Sequence, residues 1–287
     1  MNLEQYLAER HTPGTAASYG REIDSYLSNY PAAASACFAD IVAYVGVLRQ
    51  RYDNAATLNR ILCSIKAYYS WLVASGQRSD DPARAVYLRD QRSRDVQLQD
   101  LFTAQELETL LQRKERYTAL SYRNKVLMSL LVYQGLRPAE ITGLRTTDID
   151  LDAGTVHTEG TATTNGRTLS LKPNQVLLFY AYMQEVRPML LKGKATDVFM
   201  LGLRGTPMTA DDITKHVLRI YGKEFMPRPV SAVTIRQSVI TNLLKAGHPL
   251  HLVQKFAGHK YPSSTERYRQ SEVETLQSAV MQYHPMQ

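Results

Sequence analysis

The sequence predicts a mainly α-helical protein with one small β-hairpin, an α+β fold in which a helical N-terminal domain precedes a larger second domain. Three observations carry this prediction: an amphipathic helical period over residues 54–74, a charge-dense stretch poor in apolar residues at 89–100, and an Asn-Gly pair at 165–166 between two short β-prone runs. At 287 residues and 44% hydrophobic content the chain can bury two cores of ordinary size.

The segments "TAASYGREIDSYLSNY" and "FADIVAYVGVLRQRY" read as helices. From Asn54 to Ala74, Leu58, Ile61, Leu62, Ile65, Tyr69 and Leu72 recur at i, i+3, i+4, i+7, i+11 and i+14, which makes one apolar stripe on a helix. Its other face carries Arg60 and Lys66. Residues 1–88 therefore form a small helical domain, and "RDQRSRDVQLQD", 89–100, reads as a linker.

A capping-box pattern, Thr103 with Glu106, starts a new helix at "TAQELETLLQRK" and opens the second domain, 101–287. "TVHTEG" and "RTLSL" flank "TATTNG", where Asn165 and Gly166 favour a hairpin turn because both tolerate positive φ. The rest of the domain reads as helical. The tail, 271–287, carries Leu276 and Val280 on a short helix, and there is no internal repeat or low-complexity tract.

Composition narrows the function. The net charge is +7, and all of the excess lies after residue 100: 1–100 hold 11 basic and 11 acidic residues, 101–287 hold 23 and 16. That suits a polyanionic partner, and equally a basic enzyme with no nucleic-acid business. Two cysteines, Cys37 and Cys63, allow neither a disulfide framework nor a cysteine metal site, and read as small buried apolar residues. "MNLEQYLAERH" has no apolar core for a signal peptide, and runs such as "VLMSLLVY" are too short to span a bilayer, so the expectation is a cytoplasmic protein without membrane contact.

Four elements carry candidate chemistry. In "YQGLRPAEITGL", Gly135 ends one helix, Pro138 suits the first turn of the next, and Arg137 is held between them. Arg137 there either presents its planar fork to a phosphate or pairs structurally with Glu140 or a carbonyl. In "SAVTIRQSVITNLLKAG", Arg236 precedes a stripe of Val239, Ile240, Leu243 and Leu244. His259 follows a glycine, a place for a capping or packing residue, and Tyr268 is one of 18 tyrosines.

Taken in order, "GLRPAEI", "IRQSVITNLLKAG", "AGH" and "STERY" resemble the catalytic domain of the tyrosine recombinases, the phage-integrase and Xer family, and the nine residues from His259 to Tyr268 match that pattern. The resemblance covers 101–287 and extends more loosely to 1–88, where family members carry a DNA-clamping core-binding domain and where Arg60 and Lys66 would either meet the DNA backbone or be ordinary polar-face residues. It implies that Tyr268 attacks a scissile phosphate to form a 3′-phosphotyrosine, that Arg137 and Arg236 stabilise the charge gained in the transition state, and that His259 donates a hydrogen bond to the same phosphate. Glu140 would be structural support. No metal, nucleotide or other cofactor is implied.

The implied partners are duplex DNA with a specific recombination site, further copies of the chain in a tetramer on two duplexes assembled through the tail, and a second recombinase or accessory protein. Two family positions differ. The histidine three residues before the second arginine is Val233, and no lysine occurs between Lys125 and Lys172, where the hairpin usually supplies an acid. Lys172 and Lys260 are the candidate substitutes. The alternative readings are a degenerate recombinase that binds its site as an accessory subunit, a type IB topoisomerase, and an unrelated helical DNA-binding regulator.

Overall fold

The computed structural model describes residues 1–88, 100–113, 115–161 and 163–269. Nearly all of the expected linker and the whole tail with Leu276 and Val280 lie outside the described residues. The chain separates into two compact units, Met1–Arg94 and Asp95–Gln287.

The first unit is helical. It comprises α1 (Leu3–Arg10), α2 (Pro13–Asn29), a 3-10 turn (Pro31–Ser35), α3 (Phe38–Arg51) and α4 (Ala55–Ala74). The Asn54 side chain accepts the Ala56 N–H at 2.9 Å, capping α4 one residue inside the predicted span. The whole stripe from Leu58 to Leu72 is buried, because α4 packs on α1, α2 and α3. Within this core the Tyr26 and Tyr69 hydroxyls lie 2.6 Å apart, and Tyr69 donates to the Ala33 carbonyl at 2.8 Å. The cysteines do not fill the core: Cys37 is exposed ahead of α3, where its N–H donates to Asp40, and Cys63 is half-buried.

The second unit begins with the predicted box. Thr103 N–H donates to Glu106 Oε2 at 2.8 Å and Glu106 N–H to Thr103 Oγ1 at 3.2 Å, which starts α5 (Ala104–Thr109). The helix is shorter than its sequence period suggests. Next come α6 (Thr118–Val132), buried continuously from Val126 to Val132, and α7 (Pro138–Gly143). A three-stranded antiparallel sheet, order β1-β2-β3, comprises Ile149–Asp150, Thr155–Thr158 and Arg167–Ser170. α8 (Pro173–Ala181) passes through a π turn (Tyr182–Val186) into α9 (Arg187–Leu191), and α10 (Ala210–Tyr221), α11 (Ala232–Lys245), α12 (Leu250–Ala257) and α13 (Ser263–Glu266) complete the unit. No described helix is long and apolar enough to cross a membrane.

The hairpin differs from its prediction. β2 and β3 pair from Thr155 opposite Ser170 to Thr158 opposite Arg167, so eight residues connect the strands instead of a two-residue Asn-Gly turn. Neither Asn165 nor Gly166 adopts a positive φ. Their backbone is used elsewhere: Asn165 N–H donates to the Gly258 carbonyl at 3.0 Å, and Thr164 bridges to His259. Gly166 lies so close to the other side of the loop that a side chain there would stand 3.1 Å from the Gly160 nitrogen.

Candidate active site

α6 ends as its sequence suggests. Gly135 takes φ +59, and Leu136 N–H returns to the Leu130 carbonyl at 3.2 Å, closing the helix with a left-handed cap. Arg137 then caps α7 with Pro138 in its first turn, and the Glu140 carboxylate accepts the Arg137 N–H at 2.8 Å. The structural pairing of Arg137 with Glu140 is thus through the backbone alone. Among the described residues the Arg137 guanidinium has no hydrogen-bond or ion-pair partner, and it lines a cleft of about 250 Å³ with Glu140 and the hairpin loop.

Glu140 pairs instead with a residue the motif reading missed. Arg167 Nη1 and Nη2 reach Glu140 Oε1 and Oε2 at 2.9 and 3.1 Å, and Arg167 Nε donates to the Phe256 carbonyl at 2.7 Å. A signal was available: in a strand, Arg167 shares its face with Leu169, and that face is buried. Burial would raise the Glu140 carboxyl, but the hydrogen bonds and charge of Arg167 outweigh it and hold the group below the usual range.

Arg236, buried on α11, lies 3.8 Å from the same carboxylate. Its Nη1 donates to the Gly135 carbonyl at 2.6 Å, and its Nη2 to the Ala257 carbonyl at 2.5 Å and toward His259 Nε2 at 3.2 Å. The guanidinium thereby joins the end of α6 to the end of α12. Burial pulls its pKa down to about 10, so it stays charged at neutral pH.

His259 stands just past α12. Gly258 supplies the left-handed cap at φ +67, and His259 N–H donates to the Gln254 carbonyl at 3.1 Å. A guanidinium can only donate, so His259 Nε2 offers a lone pair to Arg236 and the proton sits on Nδ1, 2.8 Å from Thr265 Oγ1. Burial, then the charges of Arg236, Arg137 and Arg167, push the imidazole down to about 4, so it is neutral at pH 7. Thr265 is the second residue that motif reading missed, and it lies three residues before Tyr268, within one turn.

Tyr268 N–H donates to the Thr265 carbonyl at 3.0 Å, and this short turn carries the ring over His259, centroids 6.2 Å apart and planes 11° from parallel. The ring is buried, clustered with Ile240, Val253 and Ala257. The nine-residue spacing is thus the length of one loop and α13.

The structure brings together Arg137, Glu140, Arg236, His259 and Tyr268. It does not bring Lys172 to them. Lys172 Nζ pairs with Glu108 at 3.2 Å and lies 3.8 Å over the Tyr133 ring, five residues along the chain from Arg167, or about 16 Å of extended backbone. Lys260 is exposed beside His259. Val233 is 63% exposed on α11. In the first unit, Arg60 pairs with Glu22 at 2.7 Å, and Lys66 donates to the Arg84 carbonyl at 3.2 Å and lies over Tyr87. Both cations are engaged within their own unit.

The profile of the phage integrase family matches residues 100–275. The tyrosine recombinase XerD of Listeria monocytogenes is 27% identical over 248 residues, covering 86% of this chain and 82% of that protein. The Oceanobacillus iheyensis XerD is 27% identical over 278 residues, covering 94% and 92%. Among solved structures, a lambda integrase dimer bound to a COC′ core site aligns over 93% of this chain and 92% of that one, with a TM-score of 0.70 at 17% identity, a likeness of fold.

Proposed function

The chain belongs to the phage integrase family of tyrosine recombinases, and from that premise we propose that it cuts and rejoins DNA at a specific site with Tyr268 as nucleophile. The observation that carries the proposal is the convergence of Arg236, His259 and Tyr268, with the guanidinium 3.2 Å from the imidazole and the phenol ring stacked upon it, beside an Arg137 guanidinium that has no partner among the described residues.

In the proposed step the Tyr268 oxygen forms a bond to phosphorus and the bond from phosphorus to the 5′ oxygen breaks. The tyrosine proton passes to solvent water, and the leaving 5′ oxygen takes its proton from the ammonium of Lys260. The energy of the broken bond is kept in the phosphotyrosine, so a second 5′-hydroxyl can reverse the reaction without ATP. Arg137 and Arg236 offset the charge gained by the pentacoordinate phosphate. The arriving phosphate favours a proton on His259 Nε2, which then donates to it. Lys260, exposed beside His259, is the surrogate acid for the leaving oxygen, since Lys172 is committed to Glu108.

The domain at 1–88 is proposed to hold the duplex, and the tail 271–287 to join subunits into a tetramer on two duplexes. Truncation after Gln270 should abolish assembly on DNA without abolishing binding by single subunits, and assembly that survives it would reject that role.

A second reading, an accessory DNA-binding subunit, is favoured by Val233 and by the remoteness of Lys172. One experiment separates the two. Protein is mixed with nicked duplexes cut from the DNA flanking its gene, and adducts that survive denaturation are compared with those of Tyr268→Phe. Adduct with the native chain alone supports cleavage by Tyr268, whereas specific binding without adduct supports the accessory reading.

A further inference from the structure

A second polar cavity lies in the same unit, away from Tyr268. Arg123 on α6 lines it nine residues, about 14 Å of helix, before Val132, and only beyond Val132 does the chain turn toward Arg137. The cavity encloses about 750 Å³, a volume that suits a small molecule.

Its floor is electrostatically incomplete. Arg123 is 7% exposed, and its guanidinium hydrogen-bonds only the Asn124 side-chain oxygen, through Nε at 3.0 Å and Nη2 at 2.6 Å. Among the described residues no carboxylate pairs with it. The charges of Glu115 and Asp212 act on it only from beyond ion-pair distance, and Glu115 is held by Asn124 Nδ2 and Arg113. Beside it His216 is 5% exposed, and its Nε2 has no hydrogen-bond partner among the described residues. A buried cation with no carboxylate in ion-pair contact and a buried ring nitrogen without a partner among the described residues each carry a cost that a ligand would reduce.

The mouth carries the same sign. Arg204, Arg219 and Lys215 line it, Lys215 being paired with Asp211 at 2.6 Å, and among the described residues the one lining carboxylate, Asp212, is already occupied by the Thr209 N–H and hydroxyl at 2.9 and 2.8 Å. Met208, Pro207 and Leu218 provide an apolar wall.

We infer that this cavity binds a small phosphorylated molecule, its phosphate seated on Arg123 and His216 and gathered by Arg219, its body against Met208 and Leu218. Nothing in the proposed cleavage chemistry uses this site. Arg123 supplies a planar donor fork matched to phosphate oxygens, and the cations at the mouth draw a multivalent anion in from solution.

The test is calorimetric titration of the full chain, without DNA, by inorganic pyrophosphate and by ADP, together with the His216 imidazole signals in NMR. Saturable one-site binding, a shift of the His216 signals on saturation, and affinity weakened roughly tenfold or more in the exposed variant Arg219→Gln are expected. Tighter binding of ADP than of pyrophosphate would show that the apolar wall takes part, and equal binding would assign recognition to the phosphates alone. Arg123→Gln should abolish binding, and because a buried position can fail to fold, Arg219→Gln keeps the test decisive. Absence of saturable binding at millimolar ligand, or unchanged affinity in Arg219→Gln with an unmoved His216, would overturn the inference. Displacement of pyrophosphate by a duplex of arbitrary sequence would overturn it too, by making the cavity a contact for DNA backbone.

Discussion

Glu140 and Arg167 form a two-pronged ion pair at 2.9 and 3.1 Å, with side chains only 5% and 3% exposed. It ties the first strand residue after the hairpin loop to the helix that follows Arg137, and Arg167 extends the tie to α12 through the Phe256 carbonyl. The site is therefore assembled around a carboxylate that need never touch DNA.

Glu140→Gln should leave Arg167 and Arg236 facing a neutral amide in a buried place. Breaking one side of a buried pair costs about 3–5 kcal/mol, and in a unit of this size that corresponds to a melting point lower by roughly 6 °C or more. Thermal unfolding of the full chain measures it, and a variant melting within about 2 °C of the native protein would show that the pair is not structural.

Gly258→Ala places a methyl group 2.5 Å from Arg167 Nη1 and 3.0 Å from the Asn165 carbonyl, at φ +67. Left-handed backbone alone costs a non-glycine residue about 1–2 kcal/mol. The expected result is a loss beyond that figure, with weaker amide-exchange protection at Asn165. Full protection there would mean that the loop does not depend on this contact.

Arg236→Lys keeps the charge but replaces a planar fork that reaches Gly135, Ala257 and His259 together. Cleavage of a nicked substrate should fall by about 10²–10³, the usual effect of losing one oriented donor. Duplex affinity should change little. Near-native cleavage would remove Arg236 from the proposed role.

The free protein should hold His259 and His216 neutral, since burial first, and then nearby arginines, push both to about 4. An unfolded histidine titrates near 6.5, so between about 4 and 6.5 the unfolded chain binds more protons than the folded one. This contribution to stability is complete above about pH 6.5 and is lost as pH falls toward 4. Imidazole NMR should give midpoints well below 6, and the melting point should drop from pH 7 to pH 5. A His259 midpoint near 6.5 would contradict the buried, arginine-flanked setting.

The tyrosine pair in the first unit should respond unequally. Tyr69 spends its proton on the Ala33 carbonyl, so Tyr26 is the donor between the two hydroxyls. Tyr69→Phe strands the buried Tyr26 hydroxyl and should cost about 1–3 kcal/mol, whereas Tyr26→Phe removes one bond and should cost about 0.5–1.5 kcal/mol. Denaturant titration of both variants gives the order, and equal losses would mean another group satisfies Tyr26.

Much of this could be read from the sequence because it rests on local rules. The stripe on α4, the Thr103 and Glu106 box, the Gly135 stop and the Pro138 start each follow from residues within a turn or two of one another. The hairpin loop was not legible in this way. Asn165 and Gly166 suit a tight turn locally, but the Asn165 N–H finds its partner more than 90 residues away at the Gly258 carbonyl, and the neighbouring Thr164 bridges to His259. Arg167 escaped for the same reason, because what makes it matter is a carboxylate 27 residues away, whereas Thr265 meets an imidazole only six residues away and escaped because the motif marks the histidine and the tyrosine but not the hydroxyl between them.

The Glu140 carboxylate answers two arginines, and this divides the site into parts with different histories open to them. A descendant that ceased cutting DNA would still need Arg167 and Arg236 to fold, because each helps to balance a charge in the interior. Arg137 and the Tyr268 hydroxyl, without partners among the described residues, have no such second duty and would be free to drift. In chains of this build, the survival of Arg137 together with Tyr268 is therefore a better sign of retained cleavage than the survival of the buried arginines.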